Sequence, residues 1–312
     1  MRHVTPHRLA ALVAALSAFA LPVVYGQAPS EATDLPALNQ QMSTNHLPGK
    51  FVWADLFTHD PAGEAKFYSA LFGWTPRSIQ RNGRTHIIMS NGGQPIASIV
   101  ERKASSSNNL ANWIPFIAVS DTAAALAAAN EAGGKTLAPA RDFPRLGQRA
   151  IIGDPEGTPI GLIQSSSGDP ADYPSKDGDW AWFELYSKNP KAAGDFYGRV
   201  FHYDVSADSR LQKEGHLVLA TGQSRRAGIQ SLDNTPGAQS DWVAVVQVAD
   251  IDATIAHAST LGGQIVFQPS RPELASRFAI ISDPDGGIIG LVQFVDDVNP
   301  ATAAPGTTPN PQ

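Results

Sequence analysis

Trp53-Ala54-Asp55-Leu56-Phe57-Thr58 recurs 129 residues later as Trp182-Phe183-Glu184-Leu185-Tyr186-Ser187. The same offset carries Phe67-Tyr68 onto Phe196-Tyr197, Phe72 onto Phe201 and Trp113 onto Trp242. It also carries Asp121 onto Asp250, Gly133-Gly134 onto Gly262-Gly263 and Asp154-Pro155 onto Asp283-Pro284. A constant offset leaves almost no room for insertions between the copies. Solenoid repeats are far shorter, so a period of this length marks a duplicated domain.

Each copy reads as strand, helix and three strands, done twice. Residues 51–58 alternate and are rich in aromatics, as a strand is. Asp60 offers an N-cap, with Pro61 at the first helical position and Gly73 as the stop. Asn189 and Pro190 repeat the device in the second copy. Short strands are expected near 75–80, 85–90 and 95–102. Trp113 to Ser120 forms another strand, and Asp121 opens an Ala-rich helix that ends at Gly133-Gly134. Strands near 135–140, 148–153 and 159–164 complete the copy. Asp154-Pro-Glu-Gly157 and Asp283-Pro-Asp-Gly286 have the proline and glycine spacing of turns. They supply too few oxygens for calcium.

Composition bounds the rest. The chain has 312 residues, 42% of them hydrophobic, which is enough for two ordinary cores. There is no cysteine, so disulfides and thiol chemistry are excluded. No basic run exists, which argues against nucleic acid as a partner. Arg2 and Arg8 precede an uncharged run from Leu9 to Val24, and small residues follow, the pattern of a secretory signal. Cleavage after Gly26 would remove two arginines and no acid, taking the formal charge from -6 to -8. The expected layout is a signal peptide at 1–26, a flexible leader at 27–48 and a first domain at 49–165. A polar linker at 166–178, a second domain at 179–296 and a disordered tail at 297–312 follow. Location is then periplasmic or secreted, with no stable membrane insertion after cleavage.

The run W-x-D-L-x-T-x-D-P, then FY and LFGW, an Ala-rich helix ending GG, and DPEG-x-x-x-G-L-x-Q resembles the vicinal oxygen chelate superfamily. Glyoxalase I, extradiol dioxygenases and bleomycin-resistance proteins belong to it. The resemblance covers about 47–165 and 178–295. It implies an α+β fold of tandem domains, each made of two βαβββ modules whose sheets curl around a cup. Enzymes of that superfamily hold a divalent metal with His, Gln and Glu from the cup strands. Here those positions fall on Trp53, Ile114, Gly161 and Ala97 or Ser98. In the second copy they fall on Trp182, Val243, Gly290 and Ala227 or Gly228. Apolar and tiny residues do not ligate metals, so no metal ligand is assigned and no cofactor is expected.

If the first-ligand position faces the cup as the resemblance implies, alternation brings Trp53, Asp55 and Phe57 to it together. Ile114 and Phe116 join them. Trp182, Glu184 and Tyr186 line the second cup with Val243 and Val245. An aromatic cavity with one acid suits a planar or cationic organic ligand; the same aromatics could equally fill two small cores. His86 and His216, on the third strand of each copy, pair with Asp55 and Glu184 as candidate catalytic residues. Three readings stay open: a metal-free binder of a small organic molecule, an enzyme of lyase, isomerase or dioxygenase type with non-standard ligands, and a scaffold with plugged cups.

Overall fold

The computed structural model describes residues 34–102, 111–208, 215–232, 238–268 and 276–294. The expected signal peptide, the start of the leader and the tail beyond Phe294 lie outside them. The first copy contains β1 (Phe51–Thr58), α1 (Pro61–Phe72), β2 (Thr75–Arg81), β3 (Arg84–Asn91) and β4 (Gln94–Glu101). It continues with β5 (Asn112–Ala118), α2 (Thr122–Glu131), β6 (Lys135–Phe143), β7 (Gly147–Gly153) and β8 (Pro159–Ser165). The second contains β9 (Trp180–Ser187), α3 (Pro190–Phe201), β10 (Asp204–Ala207), β11 (Leu217–Thr221) and β12 (Ser224–Ser231). It ends with β13 (Asp241–Gln247), α4 (Ile251–Thr260), β14 (Gln264–Phe267), β15 (Ser276–Ser282) and β16 (Ile288–Phe294).

Each copy closes on itself. The first sheet runs β2-β3-β4-β1-β5-β8-β7-β6, and the second repeats that order as β10-β11-β12-β9-β13-β16-β15-β14. The two modules of a copy therefore meet at the antiparallel pair β1–β5, with Asp55 opposite Ile114. The helices begin where the side chains dictate. Asp60 accepts from the Gly63 amide at 2.9 Å and Asp121 from the Ala124 amide at 3.0 Å. Asn189 and Asp250 repeat these caps on α3 and α4.

The cores cross between copies. One buried cluster joins Phe67, Tyr68 and Trp74 of the first copy to Ile251, Ile255 and Leu291 of the second. Its reciprocal joins Ala125, Ala129 and Ile152 to Phe196, Tyr197 and Trp242. Phe51 stacks on Phe183 across this boundary with centroids 4.5 Å apart, a contact worth about 0.5–1.5 kcal/mol beyond the area it buries.

The two Asp-Pro turns join the copies as well. Asp283 accepts from the amides of Asp285 and Gly287 while its second oxygen accepts from Tyr68 of the other copy at 2.8 Å. Trp113 donates to that Tyr68 hydroxyl at 2.9 Å. Asp154, Tyr197 and Trp242 repeat the chain, with Tyr197 donating to Asp154 at 3.2 Å and Trp242 to Tyr197 at 2.9 Å. The turns are turns, but each also buries a carboxylate that anchors the opposite helix.

The leader expectation is corrected where it can be seen. Leu35 and Leu38 are 2% and 0% exposed and pack with Trp53, Ile79 and Ile88. The Leu47 amide donates to the buried Asp169 at 2.7 Å and the Asn39 amide to Ser167 at 3.0 Å. The segment from Leu35 to Leu47 is thus pinned by two leucines and by the connection between the copies. A few scattered apolar residues without a regular period were too weak a signal to show this.

Candidate functional site

Strand alternation sends Ala54 and Leu56 into the core between the copies and Trp53 and Asp55 to the other face. There Asp55 is 3% exposed. Its Oδ1 accepts from Trp53 Nε1 at 2.7 Å and from the Ser98 hydroxyl at 2.5 Å, and its Oδ2 is ion-paired with Arg149 Nη2. Ser98 reaches it because β4 runs parallel to β1 with Asp55 and Ser98 in register. Arg149 comes from β7, crosses the cup, and lays its guanidinium 3.8 Å from the centroid of Phe116. Arg81, from the edge strand β2, covers Phe143 at 4.3 Å.

Above this group lies a cavity of about 490 Å³, which Asp55, Phe57, His86, Phe116, Phe143 and Arg149 help to line. Burial pulls the His86 imidazole below its ordinary value. The Asp55 charge opposes that fall, and Arg81, Arg149 and Arg84 add to it. The ring is therefore held neutral at physiological pH, and its Nδ1 has no hydrogen-bond partner.

Trp53 does not line this cavity. It is 0% exposed, closed in by Leu35, Leu38 and Ile88, and spends its one donor on Asp55. The expected stacking platform is a core residue, displaced from that role by the leader. Phe57 and Phe116 do line the cavity. Arg149 was missed because comparison of the copies rewards what recurs, and at the 129-residue offset its counterpart is Phe278. The available signal was a lone charge in the apolar strand Arg149-Ala-Ile-Ile.

The second cup is built differently. Trp182 Nε1 donates to Glu184 Oε2 at 2.7 Å, and His216 Nε2 lies 2.9 Å from Glu184 Oε1. Here the expected acid–histidine pair is in contact. His216 Nδ1 lies 3.7 Å from Asp208, which also holds Arg225. Glu184, His216 and Asp208 are 5%, 5% and 7% exposed. Val243, Val245, Phe278 and Tyr186 pack beside them. Burial raises the Tyr186 hydroxyl, with the Glu184 charge second, so it stays protonated.

Comparison with known proteins matches both copies. Residues 52–163 fit the glyoxalase-like domain, and residues 180–291 fit the model described as Glyoxalase/Bleomycin resistance protein/Dioxygenase superfamily. CFP32 of Mycobacterium bovis, whose name carries the word glyoxylase, is 30% identical over 244 residues, spanning 77% of this chain and 93% of that protein. The chain belongs to the glyoxalase/bleomycin-resistance/dioxygenase superfamily. DnrV of Streptomyces peucetius, named as an anthracycline biosynthesis protein, is 27% identical over 264 residues, 80% of this chain and 95% of its own. The Mn(II)-bound glyoxalase of Novosphingobium aromaticivorans shares the fold, with a TM-score of 0.55 at 14% identity, covering 80% of this chain and 83% of that one.

A superfamily metal does not fit the first cup. The position of the final-strand glutamate is Gly161, and a Cβ built there would lie 2.1 Å from the Phe116 ring. The aromatic ring already fills the volume a carboxylate side chain would need. At the other positions Trp53 is spent on Asp55, Ile114 has no donor, and Ser98 is bonded to Asp55. Among the described residues no three His, Asp or Glu side chains converge as a ligand set. Divalent metals of this class need three or four such ligands.

Proposed function

We propose that the chain is an exported binding protein whose first cup takes a small organic molecule without a metal. The observation that carries this reading is the cavity over Asp55. Its roughly 490 Å³ falls inside the usual range of ligand pockets. Phe57, Phe116 and Phe143 line it beside charged groups such as Asp55 and Arg149. The signal-like N-terminus and the absence of cysteine support export. The relative named for anthracycline biosynthesis supports a ligand with a planar ring system, since anthracyclines are fused-ring molecules.

The test is calorimetric titration with naphthalene derivatives in the presence of EDTA, on the native chain and on Ala138→Trp. Ala138 stands on β6 at the cavity wall and is part-exposed, so a larger side chain there fills the opening. Binding by the native chain that the variant loses is the expected result. Equal binding by the variant, or binding that requires added Mn²⁺, would overturn the reading.

One observation favours a second reading. A neutral His86 stands on the cavity wall, where an imidazole can serve as base for a bound ligand. His86→Asn would then leave affinity intact and stop deuterium exchange at an acidic C–H of that ligand, followed by NMR.

A further inference from the structure

We propose that the first cup is an anion site, in which the Arg149 guanidinium receives the oxyanion of an aromatic carboxylate or phenolate. This rests on the reading of that cup as a ligand site and gives it a charge. Arg149 lies between the Asp55 carboxylate and the Phe116 ring, on the wall of the cavity.

Three observations point the same way. First, Asp55 is largely committed: Trp53, Ser98 and Arg149 already take three of the about four sites that a carboxylate offers. Second, one Arg149 donor is unsatisfied. Its side chain is 7% exposed, yet its Nε–H has no acceptor, and buried donors without partners are rare unless something fills the place. Third, the cavity wall carries Arg81, Arg84, Arg141 and Arg149 against Asp55 and Asp142. With His86 neutral, four positive charges oppose two negative ones, in a chain whose formal charge is -6. Stacking of Arg149 on Phe116 and of Arg81 on Phe143 makes the charged walls flat, which suits a planar anion. The second cup has Phe278 in place of Arg149, and its own arginine, Arg225, comes from another strand and is bonded to Asp208.

The test uses 2-naphthoate, 2-naphthamide and 2-naphthylmethylammonium, titrated by calorimetry into the native chain, Asp55→Asn, Arg81→Gln and Arg149→Lys. The naphthoate is expected to bind at least tenfold tighter than the amide, and the ammonium weakest. Asp55→Asn frees the guanidinium and should tighten naphthoate binding several-fold, the opposite of what a cation site would show. Arg81→Gln and Arg149→Lys should weaken it about tenfold and so remove most of the preference for naphthoate over the amide. If Arg149→Lys does not fold by circular dichroism, Asp55→Asn and Arg81→Gln decide the matter. Equal binding of amide and naphthoate overturns the anion site and leaves a binding cup standing. Failure of all three probes removes the cup itself as a ligand site, and this inference with it.

Discussion

Asp55 faces Ser98, and Glu184 at the matching place faces Gly228, in register across the parallel strands β1–β4 and β9–β12. The longer acid has taken the space of the missing hydroxymethyl group: a Cβ on Gly228 would sit 2.2 Å from Glu184 Oε2. Gly228→Ser alone should therefore cost about 1–3 kcal/mol by overpacking. Combined with Glu184→Asp, which restores the first cup's pairing, it should cost less than the two single changes together. A double-mutant cycle in urea measures this, and strict additivity would show that the two positions do not meet. The acids and histidines of both cups are legible in the sequence because they recur, the acids 129 residues apart and the histidines 130. Arg149 is not, because it occurs in one copy only. Trp53 recurs too, but recurrence cannot tell a ligand platform from a core residue; only the neighbours Leu35 and Leu38 decide that.

Among elements, the helices are the best read, since Asp60, Asp121, Asn189 and Asp250 all cap as their positions predict. Their docking is the part that sequence concealed. Periodicity says that α1 has an apolar face and nothing about which sheet will cover it. The answer lies in Tyr68, whose hydroxyl sits between Asp283 and Trp113. Burial lifts that hydroxyl's pKa well above the ordinary range, with the charges of Asp283 and Glu64 adding to the rise, so it remains a donor at any working pH. Tyr68→Phe leaves a buried carboxylate oxygen and an indole N–H unpaired, at a cost of about 1–3 kcal/mol for a lost partner. Urea titration at neutral pH should show that loss, and a midpoint within experimental error of the native chain would mean the hydroxyl holds nothing together.

For the molecule as a whole, the boundary between copies carries one unbalanced group. Glu64 is 2% exposed and its second-copy counterpart is Ala193. Burial, and after it the Asp283 charge, pushes the Glu64 carboxyl up to about 9 from an ordinary 4.5. The folded chain therefore holds a proton there that the unfolded chain has released over that interval. Stability from this group is full below about 4.5 and is lost as pH rises toward 9, by at most about 1.4 kcal/mol per pH unit. Glu64→Gln should flatten that decline and make the variant the more stable form at pH 8–9, checked by denaturation midpoints across the range. A parallel decline in the variant would assign the pH dependence elsewhere.

The reciprocal cores have a historical corollary. Each half of the chain leans its helices on the other half, as two identical subunits would across a symmetry axis. A pair of identical subunits must change both cups whenever it changes one. Joining them in a single polypeptide releases that bond. One cup can then carry an arginine while its twin has phenylalanine at the same place.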